Sequence, residues 1–227
     1  MTKALLILPT LTIARSEFIL GGQRSGKSRR AETLACDWLA QSPDHKAVFI
    51  ATAQPWDDEM RLRIARHQQD RAERLPNMLT VEEPLALAQA LSQHSDPQTI
   101  VVVDCLTLWL TNRLMPPDVA VAAVVSPDPC IENAPDIESN IKSNIESNDA
   151  VGQQLNGYVA ILLIAIKNAA GPVVLVGNEI GLGVIPMGRE TRAFVDALGR
   201  LNQDVASVCE RVTFMAAGLP LVLKGQS

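Results

Sequence analysis

Cysteine, histidine and tyrosine are scarce in this chain: four, three and one among 227 residues. Cys36, Cys105, Cys130 and Cys209 form no C-x-x-C pair, so neither a zinc site nor a disulfide framework is indicated. Reduced, buried thiols of a cytoplasmic protein are the expectation. Long apolar runs are also missing. The N-terminal stretch from Ala4 to Ile13 is interrupted by Pro9 and two threonines, too short and broken for membrane insertion. Ala14-Arg15-Ser16 makes a poor signal-cleavage site, so 1–16 reads as an irregular leader or the product of an upstream start codon.

Basic excess is absent too. The formal charge of −5 argues against nucleic acid as a partner. The charge is unevenly spread, because 116–150 holds seven acids and one lysine, leaving the rest of the chain at +1. A nearly neutral body with clustered arginines suits a compact anionic ligand.

That ligand is named by the stretch FILGGQRSGKSRRAE, Phe18 to Glu32. An apolar strand leads into Gly21-Gly22-Gln23-Arg24-Ser25-Gly26-Lys27-Ser28, which fits G-x-x-x-x-G-K-[ST], and a helix pattern follows. Glycines let backbone N–H groups turn toward phosphate oxygens, Lys27 supplies a charge for the β/γ-phosphates, and the Ser28 hydroxyl suits Mg²⁺. The loop is a strong sign of nucleotide and a weak sign of reaction.

Helical periodicity marks 28–40, 57–71, 84–93, 151–167 and 189–206, while buried-strand runs mark 46–51, 79–82, 99–104, 172–176, 211–216 and 219–223. Gly218-Leu219-Pro220 is the expected turn between the last two strands. Strands alternating with helices predict an α/β fold with a mostly parallel central sheet flanked by helices. One domain over 17–227 is expected, interrupted at about 116–150 by an acidic, low-complexity insertion. Its IESNIKSNIESN repeat is read as a mobile surface segment, with a weak helix as the alternative.

Asp104 closes the apolar run TIVVVD, where a strand-end carboxylate can hold Mg²⁺ directly or through water; a turn or helix-cap role is the alternative. His67 has Arg63 at i−4 and Arg71 at i+4, which places all three on one side of the 57–71 helix. A neutral imidazole nitrogen is a nucleophile, and the flanking guanidiniums can hold the phosphate it attacks. A surface histidine on a solvated helix fits the same spacing. His45 and His94 lie in polar segments without evident partners. GNEIGLGVIP (177–186) carries Glu179 and is placed as a second loop on the active edge. It lacks the N/T-K-x-D base-reading motif of a switch GTPase.

GGQRSGKSRRAE (21–32), FIATAQPWDDEMRLRIARHQQDR (49–71), TVEEP (80–84), VVDCLTLWLTN (102–112), VGNEIGLGVIPMGRETRAFVDALGRLNQDVA (176–206) and AGLPLVLK (217–224) stand in one order along the chain. Together they resemble the bifunctional adenosylcobinamide kinase/adenosylcobinamide-phosphate guanylyltransferase family of cobalamin biosynthesis. The leader and the 116–150 insertion fall outside the resemblance. It implies a RecA-like P-loop NTPase fold, a homotrimer, GTP or ATP as substrates and Mg²⁺. Adenosylcobinamide is phosphorylated first; GMP then passes from GTP through a covalent GMP-histidine at the position of His67. Nucleotide contacts are implied at Gly21–Ser28, Ala51, Thr52, Ala53, Gln68, Gln69, Asp70, Arg71, Glu82 and Asp104, with Lys27 catalytic and Ser28 and Asp104 on the metal. A kinase alone, or a RecA-like regulatory NTPase or binding module using the acidic insertion as its partner surface, are the competing readings.

Overall fold

Continuous apolar strands need cover on both faces, and the chain supplies it. A computed structural model describes residues 13–115, 137–184 and 188–226. The elements run β1 (Ser16–Gly21), α1 (Lys27–Gln41), β2 (Lys46–Ala51), α2 (Asp58–Arg74), β3 (Leu79–Glu82), α3 (Leu87–His94), β4 (Thr99–Asp104) and α4 (Leu106–Leu114). Then come α5 (Ile137–Asn168), β5 (Val173–Val176), α6 (Arg189–Val208), β6 (Arg211–Ala216) and β7 (Leu219–Lys224). Seven strands form one sheet in the order β3-β2-β4-β5-β1-β6-β7. All pairings are parallel except β6 with β7. This is the α/β architecture expected from the alternation.

Side chains alternate across each strand, which divides the core in two. Phe18, Leu20, Val101, Val103 and Leu175 pack under α3, α4, α5 and α6, through Leu91, Leu110, Leu162 and Leu201 among others. Ile19, Phe49, Ile100, Val102 and Val174 face the other way, against Ala31, Leu34 and Ala35 of α1 and Leu75 beyond α2. Each such side chain contributes roughly 1.5–3 kcal/mol when fully buried.

Several expectations shift. Strand β1 takes in Ser16, the last residue assigned to the leader; 1–12 and 116–136 lie outside the described residues. Helix α5 begins at Ile137 rather than 151, so the tetrapeptide repeat continues into a packed helix. Isoleucines at four-residue intervals match helical periodicity, and the weak-helix alternative is the one the backbone adopts there. Helix α3 starts at Leu87, after Pro84 and its neighbours. Helix α4 has no counterpart in the sequence reading; it is short and buried or half-buried all round, Thr107 and Asn112 included, so its polar residues do not mark a solvent face. The last turn is Ala217-Gly218, both at positive φ, with Leu219 and Pro220 inside β7. Two positive φ values are what a tight two-residue hairpin needs. His45 is not unpartnered: its ring stacks on Trp38 at 3.8 Å and its Nδ1 lies 2.7 Å from the Trp38 carbonyl.

A buried ion cluster ties β1 to α1 and β6. Glu17, 1% exposed, accepts from Arg30 of α1 (2.9 Å), and from Arg211 (3.3 Å) and Thr213 (2.8 Å) of β6. Removing one partner of a buried pair leaves uncompensated charge. Glu17→Ala is expected to destabilise the fold by about 3–5 kcal/mol in urea denaturation. A loss below about 1 kcal/mol would show that water serves the two guanidiniums instead.

Candidate active site

The parallel strands end at one edge of the sheet, with Gly21, Ala51, Glu82, Asp104 and Val176 at their C-termini. In α/β sheets this edge is where ligands bind. The 21–28 loop leaves β1 and turns directly into α1. Gly21 has no room for a side chain: a Cβ would stand 2.5 Å from the Met215 carbonyl oxygen and 2.6 Å from Ser25 Oγ. Gly26 holds φ +100 at the helix N-cap, and its Cβ would meet Gly218 Cα at 3.3 Å. The β6–β7 turn is fastened to the loop by Gly218 N–H donating to the Ser25 carbonyl at 3.0 Å.

Three polar groups converge in the cradle. Lys27 Nζ donates to the Gly22 carbonyl at 2.6 Å. Ser28 Oγ donates to Asp104 Oδ2 at 2.7 Å, joining the loop to the end of β4. Ser25 Oγ is buried and has no hydrogen-bond partner among the described residues, a donor suited to a phosphate oxygen. Gln23 and Arg24 are exposed at the tip. No group of three or more His, Cys, Asp or Glu side chains forms a cage among the described residues. The Ser28 and Asp104 oxygens are nonetheless hard donors of the type Mg²⁺ takes alongside water and substrate phosphates.

Helix α2 crosses this edge. Burial pushes the Lys27 pKa down, Asp104 and Cys105 pull it up, and Arg63 pushes it down again. Burial likewise lowers the Arg71 pKa, opposed by Asp104 and Glu32. Arg63 and Arg71 therefore both lie within electrostatic reach of the Lys27 and Asp104 cradle. Arg71 is buried, its guanidinium 3.7 Å from the centre of the Phe49 ring. His67 between them is exposed and makes no hydrogen bond among the described residues. The helix is anchored at its C-terminal end by Arg74 to Glu32 at 2.6 Å. Its first turns carry an exposed Arg61–Asp58 pair.

A cavity of about 370 Å³ lies between α2 and β3, lined by Gln68, Arg71, Ala72, Leu75, Met78, Thr80 and Glu82 among others. Gln68 Nε2 donates to Glu82 Oε1 at 3.0 Å across it. The expected residues thus form two groups: Gly21–Ser28 with Asp104, and Gln68, Arg71 and Glu82. Ala51 and Ala53 are half-buried at the end of β2. Thr52, between them, has its side chain turned inward. It is fully buried, its hydroxyl donates to the Cys105 carbonyl and accepts from the Cys105 N–H, and its carbonyl accepts from Asn112. Gln69 is exposed and donates to Glu73 at 3.2 Å. Asp70 lies on α2.

Glu179 does lie on the active edge, its N–H donating to the Gly21 carbonyl at 3.1 Å. Asn202 of α6 braces that loop through the Asn178 carbonyl at 3.1 Å. Neither Asn202 nor Asn112 carried a signal in the sequence for its bracing role, because each bonds a backbone carbonyl far away in the chain.

The family model described as "Cobinamide kinase / cobinamide phosphate guanyltransferase" matches residues 17–223. The chain belongs to this family. It is similar to a bifunctional adenosylcobalamin biosynthesis protein, CobP, of Pseudomonas aeruginosa, 43% identical over 211 residues, covering 92% of this chain and 98% of that one. The CobU proteins of Escherichia coli and Salmonella typhimurium, with the same description, are each 31% identical over 206 residues, covering 91% of this chain and 98% of theirs. Among solved structures, the flagellar accessory protein FlaH of Methanocaldococcus jannaschii aligns with 94% of this chain and 80% of its own at 9% identity. Its TM-score of 0.44 is too low to add to the fold already described.

Burial, reinforced by Asp104, pushes the Cys105 thiol up to about 12, and burial pushes Cys209 up to about 12. Both remain protonated and unreactive at neutral pH. Cys36 is exposed, against the expectation of buried thiols. Iodoacetamide at pH 8 is therefore expected to modify Cys36 in the native protein and to spare Cys105 and Cys209 until denaturant is added. Peptide mapping reads the outcome, and rapid alkylation of native Cys105 would show that the Asp104 end of β4 stands open.

Proposed function

We propose that this protein phosphorylates the aminopropanol hydroxyl of adenosylcobinamide and then guanylylates the product through a covalent GMP–His67. The observation that carries this reading is the Arg63–His67–Arg71 stripe of α2, with exposed His67 between Arg71, buried against the Phe49 ring, and Arg63, which acts electrostatically on Lys27. Membership of a kinase/guanyltransferase family supports it.

In the first reaction the substrate hydroxyl oxygen attacks the γ-phosphorus of ATP or GTP, and the bond from that phosphorus to the β–γ bridging oxygen breaks. Loop N–H groups and Lys27 neutralise the charge that develops on the phosphate oxygens, since phosphoryl transfer asks chiefly for position and charge. Ser28 and Asp104 would hold Mg²⁺, which when bound supplies further charge neutralisation to the phosphates. In the second reaction a His67 ring nitrogen attacks the α-phosphorus of GTP and pyrophosphate leaves. A phosphate oxygen of adenosylcobinamide phosphate then displaces the imidazole and takes GMP, giving adenosylcobinamide-GDP. Exposure of His67 leaves it free to meet both partners, while buried Arg71 holds the phosphate side. Gln68, Arg71 and Glu82 form the guanosine side of the site.

No helix among the described residues is long and apolar enough to cross a membrane, consistent with work in the cytoplasm on soluble substrates. The family resemblance to trimers has a candidate surface. Strand β7 is an edge strand whose Leu219, Leu221 and Leu223 share one face and are 70%, 59% and 58% exposed. Apolar rows on open edges ordinarily meet a partner, and a second copy of this chain is the proposed one.

Incubation with GTP labelled at the α-phosphate is expected to leave acid-labile label on the protein. His67→Ala should lose that label while retaining nucleotide binding and cobinamide phosphorylation. Label persisting in the variant removes His67 from the role; phosphorylation with no label in the wild type leaves a kinase alone. Light scattering is expected to give a trimer for the wild type and a monomer for Leu221→Asp. A monomeric wild type would overturn the assembly proposal.

A further inference from the structure

A cleft of about 290 Å³ separates α1 from the β6–β7 hairpin, on the opposite flank of the phosphate loop from the α2–β3 cavity. Its wall on α1 is one helical stripe, Gly26, Arg29, Arg30, Thr33 and Leu34, at successive three- and four-residue steps. Met215, Gly218 and Pro220 form the facing wall. Resting on the two-reaction reading above, we propose that this cleft seats the nucleoside of the γ-phosphate donor, while the guanosine of the GMP donor occupies the α2–β3 cavity. One phosphate cradle then serves two nucleoside subsites.

The first support is direction. In a loop of this kind the backbone N–H groups cradle the α- and β-phosphates, and the lysine reaches the β- and γ-phosphates. With the γ-phosphate near Lys27 and Asp104, the α-phosphate lies by the start of α1. The nucleoside beyond it leaves over the first two turns of that helix, where the cleft opens at Gly26. Attack by His67 on an α-phosphate asks for the reverse placement. The nucleoside must then lie beside α2, where Gln68, Arg71 and Glu82 line the other cavity. A single triphosphate cannot extend its base over both flanks at once.

The second support is chemistry. Met215, Pro220 and Leu34 give the cleft an apolar lining, and the Gly26–Gly218 approach keeps it free of side chains next to the loop. Arg30 is held by Glu17 at 2.9 Å, but the exposed Arg29 guanidinium makes no ion pair or hydrogen bond among the described residues. A free guanidinium at the lip of an apolar slot is suited to stack on a flat heteroaromatic base. The two subsites also differ in what they can tell apart. No acid lines the cleft, so it has no carboxylate for the N1–H and 2-amino donors of guanine and accepts either purine. The α2–β3 cavity contains Glu82, an acceptor for those two donors that adenine does not match.

Photolysis of the wild-type protein with 8-azido-ATP and Mg²⁺, followed by peptide mapping, is expected to place crosslinks within 29–34 and 215–220. Crosslinks confined to 68–82 would overturn the proposal. Thr33 is exposed, and Thr33→Trp narrows the cleft without entering the core. It is expected to raise the KM for ATP in cobinamide phosphorylation about tenfold beyond any change in the KM for GTP in protein labelling. Circular dichroism checks the fold of the variant. An equal rise in both constants means a single shared seat and overturns the proposal. Loss of either wild-type reaction would count against the functional reading, and the crosslink positions would still decide where the nucleoside sits.

Discussion

The hydrogen bond from Ser28 Oγ to Asp104 Oδ2 joins the helix that follows β1 to the end of β4, a strand that is not a neighbour of β1. Strand β5 stands between β1 and β4, pairing Val176 with Ile19 on one side and with Asp104 on the other. The first helical turn of α1 must therefore lean over the end of β5 before its serine meets the aspartate. That geometry fixes the direction in which the phosphate loop opens, and with it the place of every group that acts on the phosphates. It also brings the Ser28 hydroxyl and the Asp104 carboxylate together beside Lys27.

Rigidity and freedom are distributed around that join. Behind the loop, Glu17 with Arg30, Arg211 and Thr213 locks β1, α1 and β6 together. Above it, Gly218 clamps the hairpin turn onto Ser25. Helix α2 differs: its C-terminal end is held by Arg74 and Arg71, whereas His67 and the turns before it face solvent. A fixed cradle beside an exposed histidine on the less constrained part of a helix is the arrangement on which the proposed GMP transfer rests.

Much of this was legible in the residues. TIVVVD and KAVFIA are strands because apolar side chains on both faces demand cover on both sides. The loop and Asp104 follow from spacing and context alone. Less was visible where partners come from distant segments. The pairing of the Thr52 hydroxyl and carbonyl with Cys105 and Asn112 could not be read from its neighbours in the chain. Helix α4 hid because it is short and its polar residues do not mark a solvent face, and the repeat at 137–148 was masked by a composition that resembles disorder.

The sequence by itself determined the phosphate loop, the strand-ending aspartate and the Arg63–His67–Arg71 spacing, because each depends on residues within two helical turns of one another. The tertiary structure alone decided that β5 separates β1 from β4, and that Arg71 packs on Phe49 while Arg63 comes within electrostatic reach of Lys27. It also decided that Glu82 shares a cavity with Gln68 and that a hairpin turn closes on the loop. Those relations join positions far apart in the chain, and only the packing of helices on a twisted sheet sets such distances.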